Sequence, residues 1–200
     1  SCGKKEVLGS YAEVMSRTGG VLTKIIFVRH GESEKIIKNV FSCVFEGYPL
    51  TKLGESQARD GVKLLGKEKV SAIYASPVFR TKQTAEIYGK KLKMKVVVDN
   101  RLREVNSGEW DEKRFDDEWV LKEQKAYKNL SHAGFYVAPR GSTGESWKQV
   151  EDRATDFFRE IIKKHKGETV VVVSHEGPLA FLMRYIQDVP IDDMKSIFRK

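Results

Sequence analysis

The sequence has little cysteine, no long apolar run and no repetitive or low-complexity segment. Its two cysteines, Cys2 and Cys43, form no spaced pattern, so we expect no disulfide framework and favour a reducing compartment. No apolar run approaches the roughly 18 residues that a membrane-spanning helix requires, so the sequence predicts no transmembrane segment. These absences are typical of an ordinary globular chain.

The histidines also lack the spacings that are typical of metal sites. The chain has four of them, and it contains no His-x-His, His-x3-His or Cys-x2-Cys pattern. The sequence therefore predicts no metal and no other cofactor.

Length and charge indicate a compact domain with an anionic partner. The chain has 200 residues, of which 40% are hydrophobic, and this is enough for the core of one domain. The formal net charge of +8 would suit a nucleic acid, but 24 lysines outnumber 12 arginines and are spread over predicted helix faces. We therefore expect no nucleic-acid partner and infer a positive field that steers small anionic substrates toward a cleft.

Two similar apolar runs each end at a histidine. The runs cover residues 25–29 and 170–174, and His30 and His175 follow them. Such β-branched runs without polar alternation are typical of strands buried on both faces of a parallel sheet. Because ligands bind outside the carboxyl ends of such strands, adjacent parallel strands would bring both imidazoles to one crevice.

Strands alternate with helices along the chain, which predicts an α/β fold with a mainly parallel sheet. The predicted strands are 23–29, 70–75, 95–98 and 169–174, and the predicted helices are 53–66, 78–91, 145–165 and 177–187. Residues 105–143 interrupt this pattern with charged and aromatic side chains, so we expect a lid over the cleft that is partly helical at 113–128. The aromatics Trp119 and Tyr127 are equally compatible with a satellite core.

The N-terminal residues 1–22 are expected to form an extension, followed by a single domain over 23–200. Apolar residues at helical spacing between Val7 and Met15 predict a docking helix. A cloning remnant or the remainder of a processed leader would each explain the start at Ser1, and Cys2 would allow a lipoprotein-like anchor. We expect a cytoplasmic protein, with an anchored protein outside the cytoplasm as the alternative.

Residues 29–33 read Arg-His-Gly-Glu-Ser, a combination that suits an anion. The guanidinium of Arg29 offers a planar fork of donors that matches phosphate oxygens, and Gly31 would let backbone N–H groups approach the same oxygens. The segment therefore predicts a phosphate site beside His30.

Five further segments accompany residues 29–33. They read PLTKLGESQA at 49–58, SPVFRTKQTA at 76–85, RLREVNSGEW at 101–110, GESW at 144–147 and SHEG at 174–177. Together with residues 29–33 they resemble the histidine phosphatase superfamily, which is the phosphoglycerate mutase-like family, over about 24–185. The resemblance implies a three-layer α/β/α sandwich with a mainly parallel central sheet.

The resemblance also implies roles for individual residues. The implied catalytic residues are His30, Glu104, His175, Arg29 and Arg80, and the implied substrate-binding residues are Ser33, Asn39 and Gly177. His30 would be the nucleophile that becomes phosphorylated, and Glu104 would be the general acid. Arg29, Arg80 and His175 would bind the phosphoryl group.

The chemistry explains why these residue types are suitable. A neutral imidazole is a good nucleophile, and a phosphohistidine divides one difficult displacement into two easier ones. Cations around the transferring group, here Arg29, Arg80 and a protonated His175, would stabilise its charge without a metal. A carboxyl group beside a bound phosphate favours its protonated form, so Glu104 would donate a proton to the leaving oxygen and later accept one from water.

Each of these residues taken alone has a simpler structural explanation. A histidine at a strand end is more often a hydrogen-bonded structural residue, an arginine such as Arg80 in a helix is usually solvated, and Glu104 would form a surface salt bridge. Only their combination supports a catalytic site.

Three functions are open at this point. The favoured one is a histidine acid-type phosphatase that hydrolyses a small phosphorylated metabolite or a phosphoprotein and releases inorganic phosphate. The alternatives are a cofactor-dependent phosphoglycerate mutase and a catalytically weak phospho-ligand-binding protein. The last is suggested by Ile36, where the family usually has Asn, and by Glu176, where it usually has Gly. A homodimer is a further option.

Overall fold

Two apolar strands form the centre of the sheet in the computed structural model, which describes residues 5–8, 11–18, 20–66 and 68–192. Val21–Arg29 and Thr169–Ser174 pair in parallel, with Arg29 opposite Ser174. Most of both strands is buried, because their β-branched and aromatic side chains fill both faces of the sheet. The prediction that the two apolar runs are adjacent and parallel is confirmed.

Further strands extend this pair on both sides. In chain order, the strands of the described residues are β1 (Lys5–Leu8), β2 (Tyr11–Thr18), β3 (Val21–Arg29), β4 (Val70–Ala75), β5 (Val96–Val98) and β6 (Thr169–Ser174). Their order across the sheet is β1-β2-β3-β6-β4-β5, with β1 and β2 antiparallel at one edge and the other strands parallel. The predicted mainly parallel sheet is confirmed.

The helix predicted between Val7 and Met15 is wrong, because β1 and β2 occupy the described residues of this segment. β2 pairs antiparallel with β3, with Tyr11 opposite Val28. This ladder covers an edge that β3 would otherwise expose, and the tertiary pairing overrides the helical spacing of the apolar residues. Val14 is buried in the core, so the predicted extension contributes to the sheet.

Helices cover both faces of the sheet. They are α1 (Glu34–Ile37), α2 (Lys52–Leu64), α3 (Phe79–Leu92), α4 (Glu118–Lys128), α5 (His132–Val137), α6 (Trp147–Lys164) and α7 (Glu176–Ile186). One hydrophobic cluster joins α2 and α3 to one face and includes Tyr88 and Ile26. A second joins α6 and α7 to the other face and includes Phe157, Leu182 and Phe27. The three-layer sandwich is therefore confirmed.

The long helices begin and end within a few residues of their predicted bounds. The predictions 53–66, 78–91, 145–165 and 177–187 correspond to α2, α3, α6 and α7. The predicted helicity at 113–128 corresponds to α4, which begins only at Glu118. The short helices α1 and α5 were not predicted. No helix in the described ranges is long and apolar enough to cross a membrane.

The insertion 105–143 has a hydrophobic core of its own. Its buried side chains form an aromatic cluster with residues of α6 and α7, namely Phe41, Val105, Trp110, Val120, Tyr127, Phe135, Tyr136, Trp147, Val150 and Phe181. Tyr127 is thus a satellite-core residue, whereas Trp119 is 43% exposed and lies outside the cluster.

Two glycines hold the two ends of this insertion against each other. Gly108 and Gly141 both have positive φ, at 57° and 48°. A Cβ on Gly141 would lie 2.3 Å from the Ser107 carbonyl oxygen, so only glycine permits the contact. The loop at 140–144 is therefore fixed against the turn at Gly108–Trp110.

Candidate active site

His30 follows β3, and two hydrogen bonds define its tautomer. Its Nδ1 lies 2.7 Å from the Gly31 carbonyl oxygen, which can only accept, and Arg80 Nε donates to its Nε2 at 3.1 Å. The proton of the neutral ring is therefore on Nδ1, and Nε2 carries a lone pair. Nε2 is thus the nitrogen that is available as a nucleophile.

The surroundings of His30 favour the neutral ring. The imidazole is 7% exposed. Burial lowers its pKa well below the usual value near 6.5, and the charge of Arg80 lowers it further, although the Gly31 hydrogen bond opposes this. His30 is therefore unprotonated at neutral pH.

His175 lies beside His30 at the end of β6. The two ring centroids are 5.2 Å apart, which satisfies the expectation that the matching runs bring both imidazoles to one crevice. Arg80 Nη2 lies 3.3 Å from His175 Nδ1, and the Ser76 hydroxyl lies 2.8 Å from Nε2. Because Arg80 can only donate, His175 carries its proton on Nε2 and donates it to Ser76.

The substrate-free site favours a neutral His175, and the protonation of His175 during phosphoryl transfer stays a prediction. The side chain is fully buried, and burial lowers its pKa well below 6.5 before the charge of Arg80 is counted. A second cation next to a buried guanidinium is unfavourable. His175 is therefore a neutral hydrogen-bonding group in this structure.

Arg80 joins the two histidines. It lies near the start of α3 and is fully buried. Arginines in helices are usually exposed, so this burial is unusual. Its Nη2 also donates to the Ser42 carbonyl oxygen at 3.1 Å, whereas its buried Nη1 has no hydrogen-bond partner in the part of the chain that the structure describes. A buried donor without a partner is costly, so this nitrogen is suited to bind a substrate oxygen.

Glu104 lies at the same centre. Its Oε2 is 3.6 Å from His175 Nδ1 and 3.9 Å from Arg80 Nη2, and its Oε1 accepts from the Val105 N–H at 3.0 Å. Lys35 Nζ lies 3.9 Å from Oε2, and burial lowers the pKa of this lysine. The carboxyl group is thus next to the side chains that are predicted to bind the phosphoryl group.

Arg29 is paired with the unusual Glu176. Arg29 Nη1 lies 3.0 Å from Glu176 Oε2, and both side chains are partly exposed. The carboxylate therefore neutralises a cation of the predicted anion site instead of pointing away. An incoming phosphate competes with Glu176 for Arg29.

Gly31 has a different role from the predicted one. Its N–H donates to the Thr84 hydroxyl at 3.2 Å, and a Cβ at this position would lie 2.3 Å from the Gly54 carbonyl oxygen. Gly31 therefore permits close packing against the start of α2. It does not leave its N–H free for a phosphate oxygen.

The structure does not bring the three predicted substrate-binding residues together at one place. Ser33 is fully buried before α1, and its hydroxyl has no hydrogen-bond partner among the residues that the structure describes. Gly177 lies in the first turn of α7, where a Cβ would be 3.3 Å from Glu104 Oε1. Asn39 adopts φ 56° and its side chain hydrogen bonds to Asp116, so the structure does not bring it to the cavity.

A cavity of about 650 Å³ has Glu104 in its wall, 3.6 Å from His175 Nδ1, and reaches under the insertion. Glu104, Lys35 and Glu176 lie in its wall on the histidine side. The rest of the wall is mainly aromatic and consists of Phe41, Trp110, Phe115, Tyr127, Phe135 and Trp147, with Val105, Ser42, Ser107, Gln124, Lys128, Arg140 and Gly177. Such a pocket is suitable for the non-phosphate part of a small ligand.

Sequence reasoning missed several of these residues. Lys35 follows the first motif by two positions and could have been found by its closeness to it. Ser42 contributes a carbonyl oxygen, for which no side-chain signal exists. The position of Arg140 in the cavity wall depends on the fold of the insertion, which the sequence does not show. Within the described residues, no group of three or more His, Cys, Asp or Glu could hold a metal ion.

Comparison with known proteins agrees with this geometry. A family model described as the histidine phosphatase superfamily (branch 1) matches residues 25–198. The chain is 35% identical to a metal-independent phosphoserine phosphatase of Arabidopsis thaliana over 83% of this chain and 70% of that protein. It is 30% identical to phosphoserine phosphatase 1 of Hydrogenobacter thermophilus over 79% and 73%. YhfR of Bacillus stearothermophilus superposes with a TM-score of 0.76 at 29% identity, covering 86% of this chain and 83% of that one.

Proposed function

Because the chain belongs to the histidine phosphatase superfamily (branch 1), we propose that it hydrolyses phosphomonoesters through a phosphohistidine at His30. The observation that carries the proposal is the hydrogen-bonded tautomer of His30. Its Nε2 lone pair is held beside Arg80, whose Nη1 has no partner among the described residues. A nucleophile and an unsatisfied cation therefore share one site.

In the first step, the Nε2 lone pair of His30 forms a bond to phosphorus while the bond from phosphorus to the leaving oxygen breaks. Arg80 Nε, which donates to Nε2 in the free site, transfers its hydrogen bond to a phosphoryl oxygen. Arg29 completes the surroundings of the phosphoryl group, and His175 would donate from Nδ1 to a phosphoryl oxygen if it takes up a proton when the dianion binds. Glu104, in its protonated form, donates a proton to the leaving oxygen.

In the second step, water attacks phosphorus and the bond between nitrogen and phosphorus breaks, so that the electron pair returns to His30. The Glu104 carboxylate accepts the proton of the water. Inorganic phosphate leaves, and the neutral histidine is restored. Ser33, with its buried unpartnered hydroxyl, is proposed to donate to a phosphate oxygen.

The acid-type designation fits the surroundings of the nucleophile. The pKa of His30 is lowered well below 6.5 by burial, so the ring stays neutral in mildly acidic solution. The relatives named phosphoserine phosphatases support hydrolysis of a small phosphorylated metabolite over the mutase alternative. A homodimer remains a prediction.

A reducing compartment such as the cytoplasm is part of the proposal. Cys43 is a free, partly buried cysteine, and burial together with Asp111 raises the pKa of its thiol to about 12. The thiol is therefore protonated and unreactive in the structure. Cys2, on which the alternative anchor depends, lies outside the described residues.

The experiment that tests the proposal is a rapid-quench reaction with ³²P-labelled substrate. We expect acid-labile, base-stable label on a peptide that contains His30, and no label in His30→Ala. His132→Gln on α5 should label normally, because this side chain lies away from the site. Label on a serine, or turnover without any protein-bound label, would contradict the mechanism.

The same preparation distinguishes the alternatives. Incubation with 3-phosphoglycerate yields free phosphate from a phosphatase and 2-phosphoglycerate from a mutase. A phospho-ligand-binding protein would bind phosphate but would not turn over p-nitrophenyl phosphate.

A further inference from the structure

Arg140 is a partly buried cation in the wall of the cavity, on the side formed by the insertion. Among the described residues, its side chain forms no hydrogen bond and has no carboxylate within 4.0 Å, and its Nε is buried without a partner. Its terminal nitrogens also lack hydrogen bonds but keep accessible area. Burial lowers the pKa of this group, which indicates that water does not solvate it well. An arginine in such surroundings is unusual.

Aromatic rings compensate part of this lost solvation. The guanidinium carbon lies 4.7 Å from the Trp147 ring centroid, 5.2 Å from that of Trp110 and 5.8 Å from that of Phe41. These cation–π contacts stabilise the charge but offer no oxygen acceptor to its N–H donors. They leave the in-plane N–H donors of the fork without an acceptor.

The two carboxylates in the cavity wall lie next to cations other than Arg140. Glu104 lies 3.9 Å from both Lys35 and Arg80, and Glu176 lies 3.0 Å from Arg29. Both acidic groups of the cavity wall are therefore next to other cations. The electrostatic influence of Glu104 reaches Arg140 without direct contact.

The backbone holds Arg140 in a defined place. Its N–H donates to the Glu145 carbonyl oxygen at 3.2 Å, and its own carbonyl oxygen accepts from Gly144 N–H at 2.8 Å. Gly141 packs directly on the backbone of Ser107 and Glu109. The guanidinium is thus presented to the cavity by a rigid loop, as expected of a preorganised binding group.

We propose that Arg140 binds an anionic group on the leaving portion of the substrate, of which a carboxylate matches the planar fork best. This inference rests on the proposed function, because the phosphoryl group is assigned to His30, next to the end of the cavity that Glu104 lines. The aromatic wall between the two positions would pack against an apolar or ring-shaped body. A volume of about 650 Å³ accommodates such a leaving group.

A matched pair of aryl phosphates tests the proposal. 4-Carboxyphenyl phosphate and 4-carbamoylphenyl phosphate have nearly the same shape, and only the first is anionic at the para position. We expect the wild-type protein to prefer the carboxylate by about 10-fold or more in kcat/KM, as for hydrogen bonds to charged groups. Arg140→Gln should bring the ratio close to one while the carbamoyl substrate is hydrolysed at a similar rate.

Two control variants remove the same charge elsewhere. Arg159→Gln removes an exposed guanidinium that lies 5.2 Å from the Tyr185 ring on the surface of α6, so the ratio should not change. Lys128→Gln removes a cation of the same cavity wall. If Lys128→Gln abolishes the preference and Arg140→Gln keeps it, the assignment to Arg140 is overturned.

A binding measurement separates this proposal from the proposed function. Trp110 and Trp147 line the cavity, so their fluorescence should report binding of 4-hydroxybenzoate and, about 10-fold more weakly, of 4-hydroxybenzamide. This measurement needs no turnover and no variant. Equal affinity of the wild-type protein for both ligands would overturn the anion subsite even if Arg140→Gln did not fold. Loss of p-nitrophenyl phosphate hydrolysis alone would instead count against the proposed function.

Discussion

At the residue scale, a single arginine determines the protonation of both histidines. Arg80 donates to His30 Nε2 and to His175 Nδ1, and neither acceptor nitrogen can carry a proton while it accepts. In the substrate-free site the positive charge beside the two rings therefore comes from Arg80, and the imidazoles supply a lone pair and a hydrogen bond. This arrangement keeps the nucleophile active without a metal ion in the proposed mechanism.

The proposed general acid gives a prediction at the same scale. Glu104→Gln should lower the rate by about 10²–10⁴-fold with an alkyl phosphate, because the alkoxide needs a proton to leave. The loss should be much smaller with p-nitrophenyl phosphate, whose phenoxide leaves unaided. Steady-state kinetics with both substrates measure the difference.

Glu176→Gln is the matched control, because this carboxylate lines the same cavity but contacts Arg29. Its removal frees Arg29 and should tighten inhibition by inorganic phosphate, with equal effects on both substrates. Equal losses for Glu104→Gln on both substrates would leave Glu104 as a positioning residue.

At the element scale, α6 connects the aromatic cavity with the general acid. Its first residue, Trp147, lines the cavity. Arg153 of the same helix donates to the Arg101 carbonyl oxygen at 2.6 Å and to the Glu104 carbonyl oxygen at 3.3 Å. The start of α6 therefore fixes both the cavity wall and the backbone that carries Glu104.

The N-terminal cap of α6 gives a prediction about stability. The Ser146 hydroxyl accepts from the Gln149 N–H at 3.2 Å, and the Gln149 side chain accepts from the Ser146 N–H at 2.8 Å, which is a capping box. Ser146→Ala should lower the free energy of unfolding by about 1 kcal/mol. Urea denaturation measures this loss.

Ser56→Ala is the comparison for this cap, because Ser56 lies inside α2 and caps no helix. Alanine has the higher helix propensity there, so stability should not fall. A Ser146→Ala protein as stable as the wild type would show that the capping box contributes nothing.

At the scale of the whole molecule, two buried neutral histidines couple folding to pH. The pKa values of His30 and His175 are lowered in the folded state, and each returns to about 6.5 in the unfolded chain. Below pH 6.5 the unfolded state therefore binds more protons than the folded one. Stability is fully present above this pH and decreases as the pH falls toward the folded-state pKa values.

The predicted slope can be measured by denaturation. Between pH 6.5 and 5.5 the free energy of unfolding should fall by up to about 1.4 kcal/mol per histidine. His175→Gln should remove the contribution of one histidine to this slope. A wild-type curve that is flat over this range would contradict the neutral buried pair.

The sequence by itself determined the sheet centre, the long helices and the set of reactive residues. Strand and helix periodicity are local properties of the chain, so β3, β6 and α6 could be predicted from the side chains. The motif around His30 and the segment that contains Glu104 carry their chemistry in their residue types.

Tertiary structure alone decided the rest, because those features depend on residues that are distant in the sequence. β2 is a strand only because β3 offers it an edge, and the proton position on His175 depends on burial against Arg80. The pairing of Arg29 with Glu176 joins two strand ends that lie far apart along the chain. Arg140 faces the cavity because Gly108 and Gly141 fix its loop. Local sequence encodes which groups are present, and only the packing of distant segments decides their charge, partners and orientation.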